Sequence, residues 1–223
     1  MSADASRSET AYQQLKRAMQ TGDLQPGTRI RETEIAEKYN ISRTPVREAI
    51  RRLEADGLIS FVPHHGAVVS KLDHQQTMEL YDLREVLEGT AAAFAARHAS
   101  AAEIAELEEL VANEVPIRDD PQKLADLNRL FHSVLIRAAH NRFLERALLG
   151  LRDSMALLGR TTLGIPGRYE TAHEEHVEMV TAIANRDPEA AEAAARKHIR
   201  NAQRTRLKIM REELLAKKDG FAS

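Results

Sequence analysis

Four side chains in the second half of the chain have the types and spacing of a transition-metal site. Asn128 and His132 are four residues apart, so on a helix they share one face. His176 and His198 belong to two later helical segments. Three imidazole nitrogens and one amide oxygen that converge inside a helical bundle suit a divalent transition metal such as zinc, nickel or manganese, with coordination positions left open. Spacing alone leaves a second interpretation open, because a buried histidine is commonly a hydrogen-bonded part of the core.

A second set of side chains, in the first quarter of the chain, has the pattern of a nucleic-acid contact. Arg43, Arg47 and Arg51 repeat every four residues and form a cationic stripe along one face of a helix. Ser42 and Thr44 add hydroxyl groups at the N-terminal end of the same helix. Arginine can bind a guanine edge through two hydrogen bonds, and a helix N-terminus attracts phosphate. Such a stripe is equally typical of a solvated helix face, so the neighbouring elements must decide between the two interpretations.

Residues 8–70, which carry this stripe, contain short elements separated by turn residues. The periodicity predicts one helix that ends before Gly22, a second over residues 32–40, and a third that has Ser42 as its N-cap and ends at Gly57. Two short helices joined by a turn of three or four residues form a helix-turn-helix, whose second helix reads DNA. The arginine stripe lies on that second helix of the pair.

A hairpin after the third helix favours the DNA-binding interpretation. Residues 58–62 and 67–69 are apolar runs typical of strands, and the Pro63–Gly66 segment between them is a turn. A strand, turn and strand that follow a recognition helix form the wing of a winged helix-turn-helix. The wing tip contains His65 and Gly66, which are polar and small enough for a contact in the minor groove or with the DNA backbone.

From about residue 74 the pattern changes to almost uninterrupted helical periodicity, which must position the candidate metal ligands. Short connections between such helices imply antiparallel neighbours in a bundle. The expected fold is therefore mostly α, with an N-terminal winged helix-turn-helix over residues 8–70 and a C-terminal antiparallel six-helix bundle over residues 75–216. The six predicted helices cover residues 75–98, 101–115, 121–140, 141–160, 168–186 and 188–216.

Composition excludes several classes of protein. The chain has 223 residues with 43% hydrophobic and 30% charged side chains, an ordinary balance for a folded globular protein. The absence of cysteine excludes a disulfide framework, a thiolate metal site and a cysteine nucleophile. Neither an apolar run long enough to cross a membrane nor a secretory signal is present, so we expect a cytoplasmic protein. The net charge of −2 hides any local basic stripe, and it is the local distribution that matters for DNA.

The predicted winged helix closely resembles that of the GntR family of bacterial regulators. The resemblance is carried by the run LQPGTRIRETEIAEKYNISRTPVREAIRRLEADGLISFVPHHGAVV, in which the core SRTPVREA is highly specific. Thr33 departs from the family pattern, since relatives often carry a basic residue there. In that family the recognition-helix arginines and the wing glycine approach DNA. The resemblance therefore implies DNA contacts by Ser42, Arg43, Thr44, Arg47, His65 and Gly66.

The helical half resembles the ligand-binding domain of the FadR-type branch of the same family, which is called FCD. The resemblance spans roughly residues 75–205 and is nearest to the six-helix group named for vanillate regulators. It implies that Asn128, His132, His176 and His198 hold a divalent metal. The family more often has Asp at the first of these positions, and the neutral Asn128 should hold the ion less tightly and leave the site more positive.

Arg84 is the predicted effector contact. It interrupts an apolar stripe that includes Leu80, Leu83 and Leu87 on the first helix of the bundle, and an arginine at the edge of such a stripe usually extends to solvent. The resemblance, carried by LYDLREVLEG, implies instead that Arg84 faces an effector pocket in which small carboxylic acids are common ligands. A metal and an arginine together would hold a carboxylate well.

These observations predict a sequence-specific DNA-binding regulator and not an enzyme. We expect a homodimer, because helix-turn-helix proteins read two half-sites related by twofold symmetry. We also expect repression of operator DNA that a small organic acid relieves by binding at or near the metal. A regulator for which the ion itself is the signal is the alternative. A metal-dependent hydrolase with Glu175 as base is disfavoured, since no independent nucleophile, phosphate loop or acid–base pair stands out.

Overall fold

In the computed structural model, which describes residues 3–219, the chain is mostly helical and forms two compact units. The first unit comprises the chain up to Asp73 together with residues 151–160. The second comprises residues 74–150 and the chain from residue 161 on. No helix in the described part of the chain is both long and apolar enough to cross a membrane.

The first unit is the predicted winged helix-turn-helix. Helix α1 packs against α3, and the apolar faces of the two bury Leu15, Val46 and Leu53 completely. Strands β1 and β2 then form an antiparallel hairpin, in which Ile59 is paired with Val69. The elements of this unit are α1 (Ala3–Thr21), α2 (Glu32–Tyr39), α3 (Arg43–Ala55), β1 (Ile59–Val62) and β2 (Gly66–Val69).

The turn between α2 and α3 depends on Asn40. Its backbone has the left-handed conformation, with φ 52° and ψ 49°, which Asn tolerates better than most residues. The next residue, Ile41, donates its backbone amide to the carbonyl of Ala36 and closes the end of α2. Ser42 then occupies the N-cap position of α3 with an extended backbone, as the sequence predicts, but its side chain makes no capping hydrogen bond.

The second unit contains the six helices that the periodicity predicts, except for the end of the fourth, which belongs to the first unit. Their ends differ from the prediction by a few residues, and the largest change is at the fourth helix, which ends at Ala156, shortly before Gly159 takes up a positive φ of 78°. These helices are α4 (His74–His98), α5 (Ala101–Ala112), α6 (Pro121–Ala138), α7 (Arg142–Ala156), α8 (Arg168–Ala184) and α9 (Pro188–Asp219).

Small residues bring α4 and α9 close together in this unit. Ala92 and Ala95 on α4 and Ala191 and Ala195 on α9 lie in one buried cluster. Gly89 favours this contact, because a Cβ atom added there would lie 2.8 Å from Cγ of Arg196 and would force that side chain to shift. This close packing fixes the position of α9, which carries the candidate metal ligand His198, relative to α4.

The end of α7 is the one place where the division of the chain differs from the expected one. Residues 151–160 group with the first unit, although the sequence pattern assigns them to the helical bundle. Leu157 is buried in the core of the first unit. Asp153 forms an ion pair with Lys16 of α1, with 2.7 Å between Oδ2 and Nζ. Helical periodicity could not reveal this, since it specifies a buried face but not the element that covers it.

Candidate metal centre and nucleic-acid interface

Three of the predicted metal ligands meet in the interior of the second unit. His132 projects from α6, His176 from α8 and His198 from α9. Candidate ligand atoms of the three side chains all lie within 4.8 Å of one another. The rings of His176 and His198 are nearest, with 4.6 Å between their centroids. This separation suits three nitrogens that share one ion.

Carboxylates hold two of these rings in a defined tautomer. Nδ1 of His176 lies 2.6 Å from Oε1 of Glu114, and Nδ1 of His198 lies 2.8 Å from Oε2 of Glu175. Since an ionised carboxylate can only accept, both Nδ1 atoms carry the hydrogen and both Nε2 atoms keep a lone pair. Nε2 of His176 is buried and has no hydrogen-bond partner among the described residues. Such pairs of carboxylate and histidine are typical of metal sites.

His132 and Asn128 add further lone pairs without a donor. Oε2 of Glu88 lies 3.0 Å from Nδ1 of His132, yet neither buried ring nitrogen of His132 has a hydrogen-bond partner among the described residues. Oδ1 of Asn128, one helical turn earlier, is also buried and has no partner within the described chain. Buried polar atoms are normally hydrogen-bonded. One bound cation would provide a partner for several of these buried atoms at once.

The three carboxylates that lie beside these histidines, Glu88, Glu114 and Glu175, each have at least one further partner. Glu88 accepts a hydrogen bond of 2.7 Å from Nε of Arg84. Glu175 accepts one of 3.0 Å from Nη1 of Arg168 and another from Asn201. The sequence pattern does not single out Glu88, and it suggests for Glu175 only the role of a hydrolytic base.

Glu114 contacts two histidines, and the sequence pattern does not single it out either. Its Oε2 lies 2.8 Å from Nδ1 of His173, while its Oε1 accepts from His176. His173 is therefore an outer partner of the site, linked to His176 through Glu114. Glu114 lies two residues beyond Ala112, where α5 ends, although the sequence pattern extends this helix to residue 115. Only the folded arrangement of α5 and α8 reveals it.

Burial and ion pairing set the protonation states of the cluster. Desolvation lowers the pKa of His176, and desolvation together with neighbouring positive charge lowers the pKa of His198 well below its usual range. Burial raises the pKa of Glu88, but its ion pair with Arg84 and the nearby His132 outweigh this effect and lower that pKa to about 2. At neutral pH the two histidines are therefore uncharged, which is the form that binds metals, and Glu88 is ionised.

Arg84 is buried rather than extended to solvent. Its side chain is 8% exposed, and its Cζ lies 5.0 Å from the centre of the Tyr81 ring. Leu83, which the predicted stripe places in the core, is 47% exposed. The inward face of α4 thus carries Arg84 and Glu88 in place of a continuous apolar row. These two charges can be buried because they form an ion pair with each other, which the apolar pattern of the sequence does not reveal.

The first unit presents the predicted DNA contacts on its surface. The six residues are all exposed, which DNA binding requires: Ser42, Arg43, Thr44, Arg47, His65 and Gly66. The wing tip is formed by a turn in which His64 and Gly66 have positive φ angles of 63° and 77°. Nδ1 of His65 lies 3.3 Å from the carbonyl oxygen of Pro63, which orients that ring within the turn.

Two of the recognition-helix arginines share one carboxylate. Nε and Nη2 of Arg47 each lie 2.9 Å from an oxygen of Glu32, the first residue of α2. Nη2 of Arg43 lies 3.4 Å from the same side chain. The neighbouring Arg52, by contrast, is paired with Glu9 and lies over the Tyr12 ring.

Family models match both units of the chain. The model described as "Bacterial regulatory proteins, gntR family" matches residues 7–69, and the model described as "FCD domain" matches residues 79–201. The second match spans more than half of the chain and contains all four predicted metal ligands and Arg84.

Individual proteins show the same likeness. An uncharacterized HTH-type transcriptional regulator of Bacillus subtilis, YdhC, is 32% identical over 81% of this chain and 82% of its own. A probable D-xylose utilization operon transcriptional repressor of Paenarthrobacter nicotinovorans is 37% identical over 80% of this chain and 79% of its own. Among solved structures, McbR/YncC of Escherichia coli covers 94% of this chain and 100% of its own, with a TM-score of 0.77 and 22% identity, a likeness of fold.

Proposed function

The chain belongs to the GntR family of bacterial transcriptional regulators and carries an FCD domain, and we propose that it represses transcription until a small carboxylic acid binds at a divalent metal in that domain. Repression is supported by the relative from Paenarthrobacter nicotinovorans, which is described as a probable repressor. Binding to chromosomal DNA implies that the protein acts in the bacterial cytoplasm.

The buried histidine cluster is the observation that carries the metal part of this proposal. His132, His176 and His198 offer nitrogens within ligand distance of one another, and carboxylates orient two of the rings. Asn128 would be a fourth, weaker ligand through its unpartnered oxygen. Neutral imidazoles and an amide oxygen suit zinc, nickel or manganese. When bound, such an ion would act as a Lewis acid toward a carboxylate.

Charge in the same cluster supports a cation. Glu88, Glu114 and Glu175 are three buried carboxylates, and Arg84 and Arg168 are the two buried guanidinium groups paired with them. With neutral histidines, this set has one negative charge in excess. A divalent ion would reverse the balance to one positive charge, which favours a singly charged anion as the further ligand.

Two roles are proposed for Arg84. It can bind the effector carboxylate, as resemblance to FCD proteins suggests, since it is buried beside Glu88 and Glu88 reaches His132. Alternatively, its ion pair holds Glu88 against His132 and so serves the metal. Arg84→Gln separates the two roles: loss of response to acid with normal metal affinity favours the first, and weakened metal affinity favours the second.

Dimerisation through the second unit is part of the proposal. The large apolar side chains of this unit that are exposed include Leu83 and Val86, three residues apart on α4, and Phe143 on α7, at 47%, 48% and 74%. Exposed apolar side chains of this size favour an interface. A symmetric pair would present two recognition helices to two half-sites.

A titration of DNA binding tests the function and separates it from the alternative of a metal sensor. The DNA would be a duplex that the full-length protein enriches from a random library. Its affinity would be measured with metal alone, with a panel of mono- and dicarboxylates alone, and with both. Release that requires an acid supports the proposal, release by metal alone supports the sensor, and failure to enrich any sequence contradicts both.

We propose no enzymatic activity. Glu175, the one carboxylate considered as a base, accepts hydrogen bonds from His198, Arg168 and Asn201. These donors engage both oxygens of the carboxylate, so neither is free to act on a substrate. Its position supports a role in orienting His198.

A further inference from the structure

Glu32 forms a contact that neither the metal site nor the list of expected DNA contacts uses. It is the first residue of α2, and its carboxylate receives two hydrogen bonds of 2.9 Å from Nε and Nη2 of Arg47. It also lies 3.4 Å from Nη2 of Arg43. All three side chains face solvent, with exposed fractions of 27% for Glu32, 51% for Arg47 and 60% for Arg43. The contact therefore lies on the surface that would meet DNA.

The geometry of the pair leaves the end of Arg47 available. A guanidinium group has five N–H donors in one plane. Glu32 takes the edge formed by Nε and Nη2, which leaves Nη1 and the second hydrogen of Nη2 on the adjoining edge. Two parallel N–H donors are what an arginine needs to bind O6 and N7 of guanine. One guanidinium can thus bind the carboxylate and a base at the same time.

We propose that Glu32 is a positioning residue that orients Arg47 for base recognition and thereby determines operator specificity. A long exposed arginine loses side-chain freedom when it binds a base, and a bidentate carboxylate removes part of that freedom beforehand. This inference rests on the proposed function, because it requires that α3 reads DNA.

The charge of Glu32 has an effect opposite to that of its positioning role. A carboxylate near the DNA surface repels phosphates, so its removal strengthens binding to any sequence. Loss of orientation weakens binding only where Arg47 contacts a specific base. The ratio of specific to non-specific affinity therefore isolates the positioning effect.

Glu34 provides a matched control on the same turn of α2. It pairs with Arg31, with 2.6 Å between Oε1 and Nη1, and both side chains are 57% exposed. Its neutralisation removes one exposed negative charge from the same helix. It leaves the two contacts of Arg47 with Glu32 in place.

The test compares full-length wild type, Glu32→Gln, Glu34→Gln and Arg47→Ala on two duplexes. One is the sequence that the wild type enriches from a random library, and the other is a scrambled duplex of the same composition, both at fixed salt. We expect Glu34→Gln to change both affinities by the same factor. We expect Glu32→Gln to reduce the ratio about tenfold, in the range expected for one bidentate base contact.

A second selection and a double mutant identify the residue through which Glu32 acts. Glu32→Gln should lose preference at the same base position as Arg47→Ala, and it should have no further effect on the ratio in the Arg47→Ala background. An unchanged ratio for Glu32→Gln overturns the inference. A raised ratio also overturns it, and would mean that Glu32 holds the arginines away from DNA. Failure of the wild type to enrich any sequence contradicts the DNA-binding function itself.

Discussion

Nδ1 of His176 lies 2.6 Å from Oε1 of Glu114, so this buried histidine can offer only Nε2 to the centre of the second unit. The contact makes the ring a better ligand in two ways, since it fixes the tautomer and it increases the basicity of the free nitrogen. The same relationship links His198 to Glu175. We therefore regard the carboxylates as part of the candidate metal centre.

Glu114→Gln should weaken metal binding about 10- to 100-fold, the range expected for loss of an outer carboxylate partner. The substitution keeps the shape of the side chain but removes the charge that favours the Nδ1–H tautomer. Zinc affinity, measured by competition with a chelating dye, checks this. Glu109→Gln, an exposed carboxylate on α5, is the control and should match the wild type. Equal affinities in all three proteins would show that Glu114 does not support the site.

Asn128→Asp should tighten metal binding, because it replaces a neutral oxygen by a charged one at a position whose oxygen is buried without a partner. Without metal the new carboxylate should lower the melting temperature, since a buried charge would then lack compensation. Thermal melts with and without zinc check both effects. A smaller zinc-dependent increase in melting temperature than in the wild type would contradict the assignment of Asn128 as a ligand.

Arg47→Ala should weaken binding to the selected duplex by about 1–3 kcal/mol, as expected for loss of one base-reading arginine. The fold should be unaffected, because the side chain is 51% exposed. Fluorescence anisotropy at fixed salt measures the change. Arg52→Ala is a suitable control, since Arg52 is held by Glu9 and Tyr12. If Arg52→Ala reduced base preference and Arg47→Ala did not, the recognition face would be wrongly assigned.

Glu103 should make stability depend on pH. Hydrogen bonds from the backbone of Ser100 and from His140 lower its pKa from 4.5 to about 2 in the folded protein. A lowered pKa in the fold means that its contribution is fully present above pH 4.5 and is lost as the pH falls toward 2. Glu103→Ala should therefore cost about 1 kcal/mol at pH 7, a typical value for a helix cap.

Urea unfolding at several pH values checks the behaviour of Glu103. The difference between wild type and Glu103→Ala should shrink steadily as the pH falls below 4.5. Glu108→Ala, an exposed residue one helical turn further along α5, should show no such trend. A difference that stays constant down to pH 3 would mean that the carboxylate charge does not contribute to the cap.

The helices, the wing and the convergence of the three histidines agree with the sequence prediction. Helices and wing follow from local periodicity and turn residues, and the histidines stand out by their residue type. Other features depend on contacts between distant segments. Glu114 acquires its role only when α5 lies beside α8. Leu83 fits the apolar stripe of α4 but is exposed, because Arg84 and Glu88 bury their paired charges on the inward side. Leu157 continues a helical pattern, yet it completes the core of the other unit.

The metal content of the purified protein shows whether the histidine cluster of the second unit binds a divalent ion. Wild type purified without an affinity tag would be stripped with chelator, incubated with excess zinc, nickel and manganese, desalted and analysed by mass spectrometry. His176→Ala and a control, His65→Ala in the exposed wing, would be treated in parallel, with circular dichroism to establish folding.

We expect about one divalent ion per chain in the wild type and in His65→Ala, and none in folded His176→Ala. If His176→Ala does not fold, Glu114→Gln takes its place, and it should lose the ion at metal concentrations that still saturate the wild type. A wild-type protein that remains empty in excess metal would contradict the claim. The histidines would then be hydrogen-bonding members of the core or of an effector pocket.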